Sequence, residues 1–173
     1  MDKRIRIGGI IAALIFSAVI LTSPSDPPPI PEPITNEQPH QFVEIVATNL
    51  EKPWAIDFSD ERIFISERSG KIRIIESDQL LDDPLISLRV ANVFGGGLLG
   101  IVTHPNFSDN HLLYAYYTYE DDEKLWNKII QIKEMNNQIV DVITILDKIP
   151  GSSFSNGGVM KFGPDGKLYV GTG

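Results

Sequence analysis

From Phe42 onward, apolar and polar residues alternate with a period of two, not 3.6. Val43, Ile45 and Ala47 alternate with Glu44, Val46 and Thr48. Ile63 and Ile65 alternate with Phe64 and Ser66, and Ile72 and Ile74 with Arg73 and Ile75. Lys128, Gln131 and Lys133 are interleaved with Ile129, Ile130 and Ile132. A period of two places successive side chains on opposite faces of a β-strand. Turn-forming residues separate the runs: Ser59-Asp60-Glu61, Ser69-Gly70, Asp82-Asp83-Pro84, Asn136-Asn137 and Pro164-Asp165-Gly166. The pattern predicts strands near 43–48, 54–58, 62–66, 71–76, 85–89, 98–102, 112–119, 127–134, 138–146, 158–162 and 167–171. No helix longer than two turns is expected after the N-terminal segment.

One phrase recurs three times. Trp54–Phe58 and Arg62–Ser66 form the first copy, Leu98–Val102 and Leu112–Tyr117 the second, Gly158–Phe162 and Lys167–Val170 the third. Each is an apolar strand, a turn and a second strand, at a spacing of about 45–55 residues. Such a repeat implies blades of a β-propeller. Blade one takes the strands near 54–58, 62–66, 71–76 and 85–89, and blade two those near 98–102, 112–119, 127–134 and 138–146. Blade three has 158–162 and 167–171, about two and a half blades in all. The run 43–48 is expected to be a strand that completes another blade. A β-sandwich is the alternative. An incomplete ring leaves edges and faces without neighbours, so the piece 42–173 is expected to be unstable or to associate.

The N-terminus differs. Lys3, Arg4 and Arg6 precede a run of roughly 15 apolar residues, Ile7 to Leu21, the form of an export signal. Residues 1–23 are read as a signal peptide or a membrane anchor, a hydrophobic helix with its basic end cytoplasmic. Seven prolines between Pro24 and Pro39 make 24–41 an extended linker. The domain at 42–173 is then extracytoplasmic. The net charge is −8 and the basic residues cluster only at the start, which argues against nucleic acid as a partner. There is no cysteine, so disulfides, thiolate metal sites and a cysteine nucleophile are excluded.

Candidate chemistry is sparse. Gly95–Gly100 matches G-x-G-x-x-G, but Ile101 to Pro105 follows where a dinucleotide site needs a helix. Glycines entering an inner strand instead allow blades to approach closely. His104 and His111 lie in a turn without metal-ligand spacing. Glu120-Asp-Asp-Glu123 reads as a solvated hairpin tip and lacks the interleaved ligands of a dedicated Ca²⁺ loop. Ser152–Gly158 is small and polar and leads into an inner strand. It is either a plain loop or part of a channel mouth.

Six segments occur in order: Pro53–Ile56, Glu67–Arg73, Gly96–Ile101, His104–Phe107, Asn156–Gly158 and Phe162–Tyr169. Together they resemble the glucose/sorbosone dehydrogenase family, soluble PQQ-dependent aldose sugar dehydrogenases. The resemblance runs from about Leu50 to the end. It implies an all-β, six-bladed propeller with PQQ at the channel mouth and Ca²⁺ holding it. The implied reaction oxidises the anomeric hydroxyl of a small sugar, with hydride transfer to the quinone. The family's base is a histidine directly before the Asn-Gly-Gly segment, and here that position is Ser155. The resemblance also implies that Gly95 stands where relatives often carry glutamine or another polar residue. Gly95, Ser155 and Asn156 are the implied cofactor-facing positions. No catalytic residue and no metal ligand is assigned, and this chain is expected to be inactive as it stands. The alternative is a non-catalytic extracytoplasmic propeller that binds carbohydrate or protein.

Overall fold

The computed structural model describes residues 43–59 and 61–173. The signal or anchor segment 1–23 and the linker 24–41 lie outside the described residues. The elements are β1 (Pro53–Ser59), β2 (Arg62–Glu67), β3 (Lys71–Glu76), β4 (Gln79–Leu80), β5 (Ile86–Ser87), β6 (Leu98–Thr103), α1 (Phe107–Asn110), β7 (Leu112–Asp121), β8 (Lys124–Met135), β9 (Gln138–Pro150), β10 (Gly157–Phe162) and β11 (Leu168–Thr172). All strand pairs are antiparallel. The only helix among the described residues is the single turn α1.

Three sheets follow in chain order. Blade one is β1-β2-β3, with both β4 and β5 on the far side of β3; blade two is β6-β7-β8-β9; blade three is β10-β11. The fourth strand of blade one, expected over 85–89, is thus two short pieces. Asp82-Asp83-Pro84 lies between them, and proline cannot donate to a ladder. Arg73 braces the break by donating to the carbonyl of Leu81 at 2.7 Å. The expected strand at 43–48 is absent. Val43 and Ile45 are 72% and 80% exposed, and no described strand pairs with them. Alternation alone does not make a strand, since its backbone groups need a neighbour.

The first three strands of blade two are buried on both faces, whereas the outer strand β9 is exposed. Leu98, Ile101, Leu113, Ala115 and Ile132 pack against Phe64, Ile72 and Ile74 of blade one. Leu99, Tyr114, Tyr116 and Ile129 pack against Met160, with Phe162, Leu168 and Val170, in blade three. The consecutive pairs Leu98/Leu99 and Ile129/Ile130 send neighbours to opposite cores. Register shifts fall at the same places.

The inner strands meet side by side. A Cβ on Gly100 would lie 1.9 Å from the carbonyl oxygen of Gly158, so only glycine permits this approach of β6 to β10. On the other side, the Asp57 carboxylate accepts from the Thr103 amide at 2.6 Å and from its hydroxyl at 2.8 Å. These two bonds join β1 to β6. The strand-to-strand geometry therefore gathers two connecting loops, 88–97 and 151–156, at one end of the sheets.

Candidate functional site at the loop end of the blades

The segment Gly151–Asn156 leads from the outer strand β9 to the inner strand β10. It lies against the glycine-rich entry to β6. Gly95 donates its amide to the Ser153 carbonyl at 2.7 Å. A Cβ on Gly95 would sit 2.6 Å from the Phe154 Cα and 3.0 Å from the Ser155 amide nitrogen. The two loops are in backbone contact, with no room between them for a side chain at position 95.

Asn156 is the clamp that holds them. It is buried, and its amide nitrogen donates to the carbonyls of Gly95 and Ser152, both at 2.8 Å. Its side-chain oxygen accepts from the Ser152 amide at 2.9 Å and from Asn127 Nδ2 at 3.2 Å. Asn127 in turn donates to the Pro150 carbonyl and accepts from the Thr118 hydroxyl at 2.7 Å. The Tyr116 hydroxyl donates to the Asn156 carbonyl at 2.8 Å, and burial pushes this phenol up, so it keeps its proton. An asparagine side chain has two N–H donors and one oxygen with two lone pairs. All four are used inside the protein.

Ser155 has a left-handed φ of 53° and is exposed. The exposed rings of Phe94 and Phe154 pair beside it, with centroids 5.3 Å apart. The 93–96 loop is held from the other side by Arg68. Its guanidinium donates to the carbonyls of Val93, Phe94 and Gly96 and lies 5.0 Å from the Trp54 ring.

The structure thus brings Gly95, Ser155 and Asn156 together. It keeps His104 and His111 apart from them. Both histidines belong to the β6–β7 connection, at the opposite end of β6. A strand of six residues at about 3.3 Å each separates the ends by roughly 20 Å. His104 Nδ1 accepts from the Asn106 amide at 3.0 Å, and the His104 ring stands edge-on to Phe162. His111 caps α1 in the left-handed region. The tip Glu120–Glu123 is exposed, with Asp122 and Glu123 at positive φ as in a two-residue hairpin turn, and Asp121 pairs with Lys148. Leu98–Thr103 is a strand where a dinucleotide site would have a helix.

Sequence reasoning missed Arg68, Asn127, Thr118 and Tyr116. Their partners come from other strands, so no local spacing marks them.

The family model for glucose/sorbosone dehydrogenases matches residues 50–173. The chain belongs to this family. It is 27% identical over 165 residues to quinoprotein glucose dehydrogenase B of Acinetobacter calcoaceticus, covering 87% of this chain and 34% of that protein. It is 29% identical over 151 residues to the mouse Hedgehog-interacting protein, covering 74% of this chain and 21% of the other. The PQQ-bound aldose sugar dehydrogenase of Streptomyces coelicolor superposes with a TM-score of 0.67 at 30% identity, covering 76% of this chain and 40% of that structure. The chain therefore spans a minor part of the length of these relatives.

Against PQQ, the described residues of this family member make a poor cradle. Gly95 has no side chain, Phe154 fills the space beside it, and Asn156 has no polar atom to spare. No group of three or more His, Cys, Asp or Glu residues among the described residues is placed to hold a metal ion.

Proposed function

We propose that residues 42–173 form the blades of an extracytoplasmic propeller of the aldose sugar dehydrogenase type. In this reading the loops at 93–97 and 152–156 are a wall of the channel mouth. They face a small sugar but supply neither the base nor the quinone cradle. The observation that carries this reading is the occupation of the site by its own backbone: Asn156 is saturated, and the Phe154 backbone lies where a residue-95 side chain would project. Sugar oxidation needs the hydroxyl proton removed as hydride leaves C1. A placed base typically contributes roughly 10²–10⁴-fold. The exposed hydroxyl of Ser155 is not such a base without a partner to activate it.

The test is dye-linked oxidation of glucose and other aldoses by the full chain supplied with PQQ and Ca²⁺. Turnover at background is expected. Robust turnover with Ser155 in place overturns the base argument.

The likeness to the Hedgehog-interacting protein favours a second reading, a non-catalytic propeller that binds protein or carbohydrate. The exposed Phe94–Phe154 pair suits such contact. Calorimetric titration with aldoses tests the first, which requires a monosaccharide to bind at the mouth, and the dye-linked assay tells turnover from carbohydrate binding alone.

A further inference from the structure

We propose that Asn106 carries an N-linked glycan, at the end of the sheets opposite the mouth loops. The proposal rests on the extracytoplasmic reading above, since acceptor and donor meet outside the cytoplasm. Asn106-Phe107-Ser108 is the one Asn-x-Ser/Thr triplet in the chain, and x is not proline. On a surface loop of an exported protein, such a triplet is an acceptor for N-glycosylation. The family resemblance covers His104–Phe107, but Ser108, which completes the triplet, lies outside that segment.

The fold turns the triplet outward. It lies in the connection from β6 to β7 and enters α1. Phe107 is 1% exposed and stands edge-on to Phe64 at 5.3 Å, in the core between blades one and two. With Phe107 anchored inward, Asn106 and Ser108 on either side of it are exposed. The inner strands of blades one and three already flank this connection, so its exposure does not come from a missing neighbour. The backbone of Asn106 is pinned. Its amide donates to His104 Nδ1 at 3.0 Å, and its carbonyl accepts from the amides of Asp109 and Asn110, both at 3.1 Å. Asparagine is favoured at a helix N-cap because its side-chain oxygen accepts from an amide of the first turn. Asn106 occupies the N-cap of α1 without making that bond. The usual structural reason for an asparagine at this position is therefore missing.

The donor is an oligosaccharide held by a phosphate on its anomeric carbon to a membrane lipid. The side-chain amide nitrogen of Asn106 bonds to that carbon and gives up one proton. The bond from the carbon to the phosphate oxygen breaks, and the lipid phosphate leaves with the electron pair. Nothing is oxidised or reduced. The six residues of β6, at about 3.3 Å each, hold the glycan roughly 20 Å from the mouth loops. It covers the far end and leaves the mouth open.

The experiment uses the full chain with its own N-terminal segment, produced in its source organism. The exported and cytosolic fractions are recovered separately. Trypsin places Asn106 in the peptide Val90–Lys124. Mass spectrometry with fragmentation that keeps glycans attached then locates any sugar. The exported chain is expected to carry an oligosaccharide on Asn106. The sugar is expected to be lost in Asn106→Gln and in Ser108→Ala and retained in Ser108→Thr. Both positions are exposed, and circular dichroism checks that the sheets persist. An exported chain with Asn106 bare overturns the proposal and leaves the extracytoplasmic reading standing. A chain confined to the cytosol overturns both. Sugar that survives Asn106→Gln also overturns the proposal, because it sits elsewhere. So does sugar that survives Ser108→Ala, because its attachment does not follow the triplet.

Discussion

The side-chain amide of Asn156 donates to the carbonyl of Gly95 at 2.8 Å, joining the two loops that enter adjacent inner strands. This bond fixes the mouth loops relative to each other, and the remaining contacts of Asn156 extend it into blade two through Asn127 and Thr118. The position is a structural clamp with no capacity left for a ligand.

Removing the clamp therefore costs stability. Asn156→Ala is expected to destabilise by about 1–3 kcal/mol, because buried partners such as Asn127 lose a hydrogen bond. Asn156→Asp keeps the acceptor oxygen but turns the donor edge into a second acceptor facing two carbonyls, so it is expected to cost at least as much. Urea unfolding with an unchanged slope measures both. No loss in either variant would show that the loops hold themselves.

Placing glutamine at position 95, the side chain that the family resemblance implies, is expected to fail for steric reasons. In Gly95→Gln the first added carbon meets the Phe154 Cα at 2.6 Å, and that obstacle is backbone, not a flexible tip. Overpacking of this kind costs roughly 1–3 kcal/mol or displaces the 152–155 loop. A fall in melting temperature with broadened loop resonances is the expected result. An unchanged melting temperature would show that the loop yields freely.

These two residues also mark how far the sequence could be read. Strands β1, β2, β3, β6, β7, β8 and β10 follow from alternation or a short apolar run, because each packs at least one face against a neighbouring blade. The run 43–48 alternates too but forms no strand, since pairing depends on a neighbour that local pattern does not reveal. The split of the fourth strand at Asp82-Asp83-Pro84 was written in proline and aspartate, which served there only as a turn signal. At the mouth, the motif before Gly157 located Ser155 and Asn156. The role of Asn156 was hidden, because its partners Gly95 and Asn127 are 61 and 29 residues away. A polar residue beside a ligand channel and a polar residue tying loops together look alike in one dimension.

The hairpin base of blade two carries a pH-dependent contact. The Tyr119 hydroxyl donates to the Asp147 carboxylate, and this bond is the main cause that holds the carboxyl below its ordinary value of 3.8. The Tyr119 phenol is raised above its ordinary 10.0, first by desolvation and then by the same carboxylate. A depressed carboxyl contributes stability above its unfolded value and loses it as pH falls through the folded one. A raised phenol contributes below its unfolded value and loses it as pH rises through the folded one. The contact thus acts from about pH 4 to about pH 10. Solvent screening keeps it small, since the Asp147 side chain is 42% exposed. Tyr119→Phe is expected to be less stable than the parent at pH 7, with the difference shrinking below pH 4. A difference that stays constant between pH 7 and pH 3 would assign the effect to packing.

At the end opposite the mouth, Arg62 of blade one donates to the fully buried Glu134 of blade two at 2.9 Å. Glu134 also accepts from the Asn137 amide at 3.1 Å, while Arg62 reaches the Asn137 side-chain oxygen at 3.0 Å. The guanidinium lies 5.3 and 5.2 Å from the rings of Phe64 and Phe107, so the charge is enclosed by the inter-blade core. Truncating one partner strands the other charge in that core, at a cost of about 3–5 kcal/mol. Replacing both with apolar residues removes the stranded charge along with the attraction. Arg62→Met alone and Glu134→Leu alone are therefore expected to be strongly destabilising, and the double variant less so than the sum of the two. Chemical unfolding of the four proteins gives the coupling directly. Because the pair lies near the far end of the sheets, the contact between Gly95 and Asn156 is expected to persist in the folded variants, seen as unchanged resonances for residues 152–156. Strictly additive costs would mean that the two charges are stabilised by their other neighbours and not by each other.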